Sequence, residues 1–521
     1  MLQHQFLGPV FGYTTANETT LWLRGYQGKK AFVRYRQESS PWCMHDNFTL
    51  IDFLDYAGVC TLPFALPDQQ LHVEALLLDA NCQAPGPDDR RWTTDLSKVT
   101  GSVSPAPADK KQGIEFLFGS CAHRGYGPLR QGDKVFETMI RHKHHLDSDF
   151  FLMAGDQVYA DHPINKVIPL FPLLGANRAP KKTEQYFERY RNDFSRKNLR
   201  QVLAQLPVYM MFDDHEVVNN WGGYWYRQPE KTGKGKYHPT TLQRGMTAYL
   251  AYQALHSDRF SKQSPTDLAA RLSVAGEAKQ SWSYQFSCGL ADFFVLDART
   301  ERTAPQTKTD PNGDAAMMLS KETEEQLIAF MQQKDVPEAE LRYKFIVSPV
   351  PIAPDTNHDV NKDEHRIDTW RSYPKQRERI LKACKKVPLR PVFLGGDLHL
   401  STCLTIRSRE DEMFEVPTIV SSALNWVIFG IQRESKKNFA LRKIEQGTLV
   451  QDMADLKRNP LNRTGEFYVD GFNQMASCMK NNYMKISVTA EEIVATIYEA
   501  EDGSVHGTPW VFSKARLRGQ A

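Results

Sequence analysis

No stretch of this 521-residue chain approaches the ~18 apolar residues of a membrane-spanning helix. No membrane partner is therefore expected. The opening MLQHQFLGPVFGYTTANETT lacks the basic segment and long apolar run of a secretory leader. Charge of one sign is missing too: 65 Lys and Arg face 62 Asp and Glu, a net of +3. So slight a surplus argues against a nucleic-acid partner. The eight cysteines, at 43, 60, 82, 121, 288, 384, 403 and 478, form no CxxC pair. That suits a reducing compartment better than a disulfide scaffold. A cytoplasmic location is the expectation, and the sequons at Asn17, Asn47 and Asn462 read as chance matches. Internal repeats and low-complexity tracts are absent. What is there suffices for packed cores: 41% of residues are hydrophobic and 24% charged. The length predicts two or three domains. Nothing in the composition speaks to oligomeric state.

The first hundred residues read as strands. TTLWLRG (19–25), AFVRYR (31–36) and LHVEALLLD (71–79) are β-rich runs separated by turn residues, which predicts a small β-sandwich over 1–105. GSVSPAPADKKQG (101–113) is polar, holds two prolines and reads as a linker. From 112 to 515 the grammar changes. Short apolar strands, IEFLFGSC (114–121), DFFLMAGD (149–156), PVYMMFDDHE (207–216), ADFFVLDAR (291–299), YKFIVSPVP (343–351) and RPVFLGGDLHLS (390–401), alternate with helical stretches near 133–145, 321–333 and 372–386. That alternation predicts a layered α/β domain. The stretch 483–503 reads as a hairpin completing a sheet.

The strand ends carry the chemistry. One ends on Cys121, one on Asp156 and Tyr159, one on Asp213 to Glu216, and one on Asp397 and His399. Ligands gather at the carboxyl ends of strands in layered α/β folds. Taken singly, each has an ordinary explanation: an Asp after a strand caps a helix or forms a turn, and a buried Cys is core. Four separate strand ends in thiolate, carboxylate, phenol or imidazole form a metal-ligand constellation.

As a set, GSC, GDQVYAD, FDDHEVVNNW, LDART, DTWRSYPKQRERIL and GGDLHLS resemble the alkaline phosphatase D (PhoD-like) metallophosphatases, a branch of the calcineurin-like phosphoesterase superfamily. The N-terminal strand region resembles that family's N-terminal domain as well. The resemblance implies a four-layer α/β/β/α core with a dinuclear metal site at one edge. It implies Cys121, Asp156, Tyr159 and His399 as ligands of Fe(3+), with Asp156 bridging to a divalent ion, Ca2+ first and Mn2+ or Mg2+ as alternatives, held also by Asp214 and Asp397. Asp214 is preferred to Asp213 because it stands where the superfamily has the Asn of an Asn-His-Glu motif. Thiolate and phenolate suit a trivalent iron, and carboxylates suit a hard divalent ion. The implied reaction is hydrolysis of a small phosphomonoester or phosphodiester by in-line attack of a metal-bound hydroxide. Asp156, Asp214 and His215 carry it, His215 contacting the phosphate.

Other residues keep two readings. Arg299 and Arg302 add charge for an anionic substrate or are surface arginines after a strand. Asn219 is a candidate substrate-binding residue; Asn219 and Asn220 support the ligands or add a metal contact, or both form a turn. Glu216 buttresses His215, and Asp161 caps or orients its loop. NNWGGYWYRQ (219–228) and NWVIFGIQRES (425–435) form walls of the pocket or satellite hydrophobic clusters. RHKHH (141–145) pairs His142 with His145 but reads as a solvated helix face, and EKTGKGKYHP (230–239) lacks the nucleotide-loop pattern. Two competing functions are an oxygen-using iron protein and a non-catalytic, metal-containing binding or scaffold protein. The first is disfavoured because acids outnumber histidines in the set, the second because no expected ligand is missing.

Overall fold

Alternation of apolar and polar side chains builds two small N-terminal sheets in the computed structural model. It describes residues 2–519 apart from 39, 67, 126–132, 163–178, 223–238, 274–280, 304–314, 334–335, 338–339, 355–368, 427–465 and 471–476. Strands Leu7–Thr14, Glu18–Arg24 and Ala57–Pro63 form one sheet. Cys43–His45, Lys29–Gln37, Leu71–Asp79 and Val99–Val103 form the other. Every second residue of Leu71–Asp79, namely Leu71, Val73, Ala75 and Leu77, joins Phe11, Leu21 and Leu23 in one core. The strand Val99–Val103 runs into the stretch read as linker. Its small and polar residues hide a strand that only pairing with Leu71–Asp79 creates.

Two larger sheets follow. The first orders Val208–Met211, Phe150–Ala154, Ile114–Gly119, Asn482–Val488, Glu492–Glu499 and Trp510–Ser513. Its first three strands are parallel, and the C-terminal hairpin closes it antiparallel. The second contains Tyr284–Cys288, Ala291–Val295, Tyr343–Ser348, Val392–Gly395, Glu415–Val420, Ser401–Ser408 and Phe467–Asp470, with Ser477–Cys478 paired to Ser401–Ser408. The stretch read as one strand, 390–401, is broken after Gly395.

These sheets meet through aromatic residues. The Phe116 ring stacks on Phe150 at 4.9 Å and meets Phe293 edge-on at 5.4 Å. Phe286, Phe293 and Phe345 belong to the same core. Each buried Phe contributes ~1.5–3 kcal/mol. The opposite face of the first sheet, with Leu117, Phe151, Met153 and Met210, packs on helices Lys134–Arg141, Thr183–Phe194, Lys197–Leu203 and Pro239–Tyr249. The opposite face of the second, with Phe294, Ile346 and Phe393, packs on Lys321–Gln332 and Pro374–Cys384. Ser320 caps the former by accepting the Thr323 N–H at 3.1 Å, and Pro374 opens the latter.

RHKHH is not a solvated helix face. The helix ends at Arg141, and His145, 0% exposed, sits in a 3-10 turn against Tyr483 and Tyr498. All eight cysteines are free thiols. Among the described residues, no helix is long and apolar enough to cross a membrane.

Candidate metal centre

Parallel strands deliver their carboxyl ends to one edge. Ile114–Gly119 leads into Cys121, Phe150–Ala154 into Asp156, Val208–Met211 into Asp213 and Asp214, and Val392–Gly395 into Asp397 and His399. Two glycines allow the ends to close up. Gly155 has φ +91°, and a Cβ there would lie 2.5 Å from Asp213 Cβ. A Cβ on Gly396 would lie 2.6 Å from the Ala154 carbonyl. Past these points the backbone is strained. Cys121, Asp156, Asp397 and His399 have φ of 57°, 57°, 61° and 51°. Left-handed backbone at a non-glycine residue costs on the order of 1–3 kcal/mol and persists where surroundings impose it.

The predicted ligands come together. The Cys121 thiol donates to Asp156 Oδ2 at 3.5 Å, and the Tyr159 hydroxyl donates to the same oxygen at 3.2 Å. Tyr159 Oη lies 3.4 Å from His399 Nε2. One ligand atom from each of Cys121, Asp156 and His399 lies within 4.8 Å of the others. The same holds for Asp156, Asp213, Asp214 and Asp397. Asp156 stands in both groups.

The electrostatics fit a bound cation. Burial, then Asp397, pushes the Cys121 thiol up to about 12. Burial, then Asp214 and Cys121, pushes Asp156 well above the usual carboxylate range. Burial and Asp156 do the same to Tyr159. Acids crowded in a dry site resist ionisation unless positive charge is supplied. Thiolate and phenolate donors on one side of Asp156 and carboxylates on the other suit two cations of different character.

Three second-rank expectations change. Glu216 does not buttress His215. Its Oε1 accepts the N–H of Gln157 at 2.9 Å, of Val158 at 3.3 Å and the Gln253 amide at 3.3 Å. Its Oε2 accepts the N–H of Asp156 at 3.1 Å and of Asp213 at 2.9 Å. Glu216 thus ties two ligand loops together. Asp161 is the partner of His215, at 2.8 Å from Nδ1, and also accepts the Asn219 N–H at 3.0 Å. Burial opposes the charge on Asp161, but His215 and His162 outweigh it and its pKa falls. For His215 burial works downward, while Asp161 and Asp214 outweigh it and carry the imidazole up to about 9. Arg299 is not a surface arginine. It is 0% exposed, its guanidinium bonded to Asp213 and 3.4 Å from Asp214 Oδ1, because two adjacent buried carboxylates require a cation of their own. Arg302 is likewise buried, its Nε donating to the Ala298 carbonyl. Asn219 is half-buried at the rim, and Asn220 N–H donates to Asp214.

Two residues at the site, His123 and His162, have no place in the sequence reading, and Trp426 figures there only as part of an expected wall. His123 Nε2 lies 2.9 Å from His162 Nδ1. Trp426 stacks on His399 at 3.9 Å between centroids and 23° between planes. The available signals were Cys121-x-His123 and the adjacency of Asp161 and His162. Of the two expected walls, 219–222 and 425–426 are described. Trp221 is buried, Trp426 joins the site, and the remainder, like the loop 230–238, lies outside the described residues.

Comparison with known proteins identifies the family and the fold. The chain is 27% identical over 308 residues to alkaline phosphatase D of Bacillus subtilis (strain 168), an alignment covering 57% of this chain and 48% of that protein. The match thus spans about half the length of that curated relative. In fold it resembles a solved structure of PhoD, with a TM-score of 0.62 at 17% identity over 99% of this chain and 91% of that one. It also resembles purple acid phosphatase PPD1 from yellow lupin (Lupinus luteus) seeds, with a TM-score of 0.57 at 9% identity over 99% and 76%. The chain has a mixed α/β fold with several sheets, as those two proteins have. The family model for PhoD-like phosphatases matches residues 116–478, more than half of the chain, and the chain belongs to that family.

Proposed function

We propose that this chain is a metal-dependent phosphoesterase that hydrolyses small phosphomonoesters, phosphodiesters or both. The observation that carries the reading is Asp156, shared between a Cys–His donor group and a four-carboxylate group. In this reading Cys121, Asp156, Tyr159 and His399 hold Fe(3+). Asp156, Asp214 and Asp397 hold a divalent ion, Ca2+ first. Such a pair supplies Lewis acidity at the phosphoryl oxygens and lowers the pKa of water.

The chain's own residues then orient and stabilise. Asp161 holds His215 by Nδ1, which leaves Nε2 to donate to a phosphoryl or leaving-group oxygen. Glu216 fixes the backbone of both carboxylate loops, and the Arg299 guanidinium pairs with Asp213 and Asp214. Asn219 offers an amide at the rim. The architecture in this reading is a four-layer α/β/β/α catalytic domain over 112–515 behind a β-sandwich over 1–105. Helices against both outer sheet faces and the shared core of the two small sheets support it.

Asp156→Ala tests the assignment. Bound metal and ester hydrolysis are expected to vanish together; full activity in that variant removes the central residue from the mechanism.

A further inference from the structure

Two imidazoles outside the proposed ligand set stand beside His215, and their hydrogen bonds fix where the protons are. His123 is buried, and its Nδ1 accepts the backbone N–H of Gly125 at 3.0 Å. A ring nitrogen that accepts carries no proton, so the His123 proton is on Nε2. That nitrogen lies 2.9 Å from His162 Nδ1 and therefore donates to it. By the same rule the proton of His162 is on Nε2, on the far side of its ring. The chain Gly125 to His123 to His162 leaves one tautomer at each step.

The outer imidazole is at the right place to use that N–H. His162 is half-buried at the rim, whereas His123 is enclosed. Its ring centroid is 5.3 Å from that of His215 and 5.2 Å from that of Tyr159. Single ligand-type atoms of Asp161, His162 and His215 fall within 4.8 Å of one another. That spacing would also admit a cation, but Nδ1 of His215 is engaged by Asp161 and Nδ1 of His162 by His123. Two imidazole donors side by side suit neighbouring oxygens of one tetrahedral oxyanion.

We propose that His162 is a substrate-binding residue that donates from Nε2 to a phosphoryl oxygen alongside His215, and that His123 is the positioning residue that sets its tautomer. The proposal rests on the phosphoesterase reading. It predicts that two amide replacements at one position behave differently. His162→Asn reproduces the Nδ1 end, keeps the contact with His123 and deletes the outer donor. His162→Gln reproduces the Nε2 end and keeps the donor. At His123, Gln retains a donor at the Nε2 position and Leu does not.

The test uses the full chain loaded with iron and a divalent ion. Inorganic phosphate is the probe, in titration calorimetry and as inhibitor of aryl phosphate hydrolysis, with metal content measured on every variant. His162→Asn is expected to weaken phosphate binding roughly tenfold or more, the worth of one hydrogen bond to a charged group. His162→Gln is expected to stay within about threefold of the parent at equal metal content, and His123→Gln to bind phosphate better than His123→Leu. Parent-like phosphate binding by His162→Asn, or equal losses in His162→Asn and His162→Gln, overturns the assignment. A parent that hydrolyses no ester refutes the phosphoesterase reading instead, and the calorimetric comparison still decides the role of His162.

Discussion

Replacing Glu216 by Gln changes almost no volume, yet the surroundings of Glu216 leave no room for an amide. Oε2 accepts two backbone N–H groups, from Asp156 and Asp213. Oε1 accepts two more, from Gln157 and Val158, and the amide of Gln253. With donors on both oxygens, the group is an ionised carboxylate, although burial works against the charge. In either orientation, a Gln side chain sets its NH2 against at least two N–H donors. Two buried donors are then orphaned at ~1–3 kcal/mol each, so Glu216→Gln is expected to destabilise by ~2–6 kcal/mol. The same bonds hold the loops of Asp156 and Asp213, so metal retention falls with stability. The assay is a urea midpoint followed by two spectral probes, with metal content of the purified variant. A variant that unfolds within about 0.5 kcal/mol of the parent and keeps its metal refutes the reasoning, because a neutral Glu216 would tolerate the amide.

Other perturbations follow from the same geometry. Arg299→Leu leaves Asp213 and Asp214 buried without their guanidinium and is expected to cost ~3–5 kcal/mol in urea unfolding; a parent-like midpoint would place that cation elsewhere. Gly155→Ala puts a methyl group 2.5 Å from Asp213 Cβ at φ +91°, so metal content and activity are expected to drop about tenfold or more while the circular dichroism spectrum stays that of the parent. Burial, then neighbouring cationic groups, lowers His145 to about 3, and burial lowers His256 to about 4. Both are neutral in the fold and titrate near 6.5 when unfolded, so their stability is complete above about pH 6.5 and lost as pH falls, by about 1.4 kcal/mol per pH unit each. Asp149, raised by burial to about 6, works in the opposite direction below that pH. His145→Phe is therefore expected to flatten the fall in urea midpoint between pH 6.5 and 5; an unchanged slope contradicts the burial argument.

Sequence patterns reached the proposed ligands because of how parallel strands work. Each strand delivers its last residues to the same edge, so Cys121, Asp156, Asp214 and Asp397 could be aligned by position after an apolar run without knowledge of the tertiary fold. The roles of the supporting residues depend on contacts across long stretches of chain. Asp161 meets His215 54 residues away, and His123 meets His162 39 residues away. Nothing local to Asp161 distinguishes a loop cap from an imidazole partner. Arg299 shows the same limit: whether an arginine after a strand faces water or Asp213 is decided by the neighbouring loop. His145 was misjudged because its charged neighbours dominate a helical-wheel reading, while the chain leaves the helix before reaching it. The strand Val99–Val103 is hard to read in the sequence because Gly101 and Ser102 interrupt its β-branched residues and merge it with the polar, proline-containing stretch that follows.

The measurement that tests the account most directly is hydrolysis of a chromogenic phosphomonoester and its diester by the purified protein, before and after chelation. The account predicts that activity disappears with chelator and returns only when iron and a divalent ion are both restored. Hydrolysis that survives complete removal of metal would contradict it, as would a protein carrying both metals that cleaves neither ester.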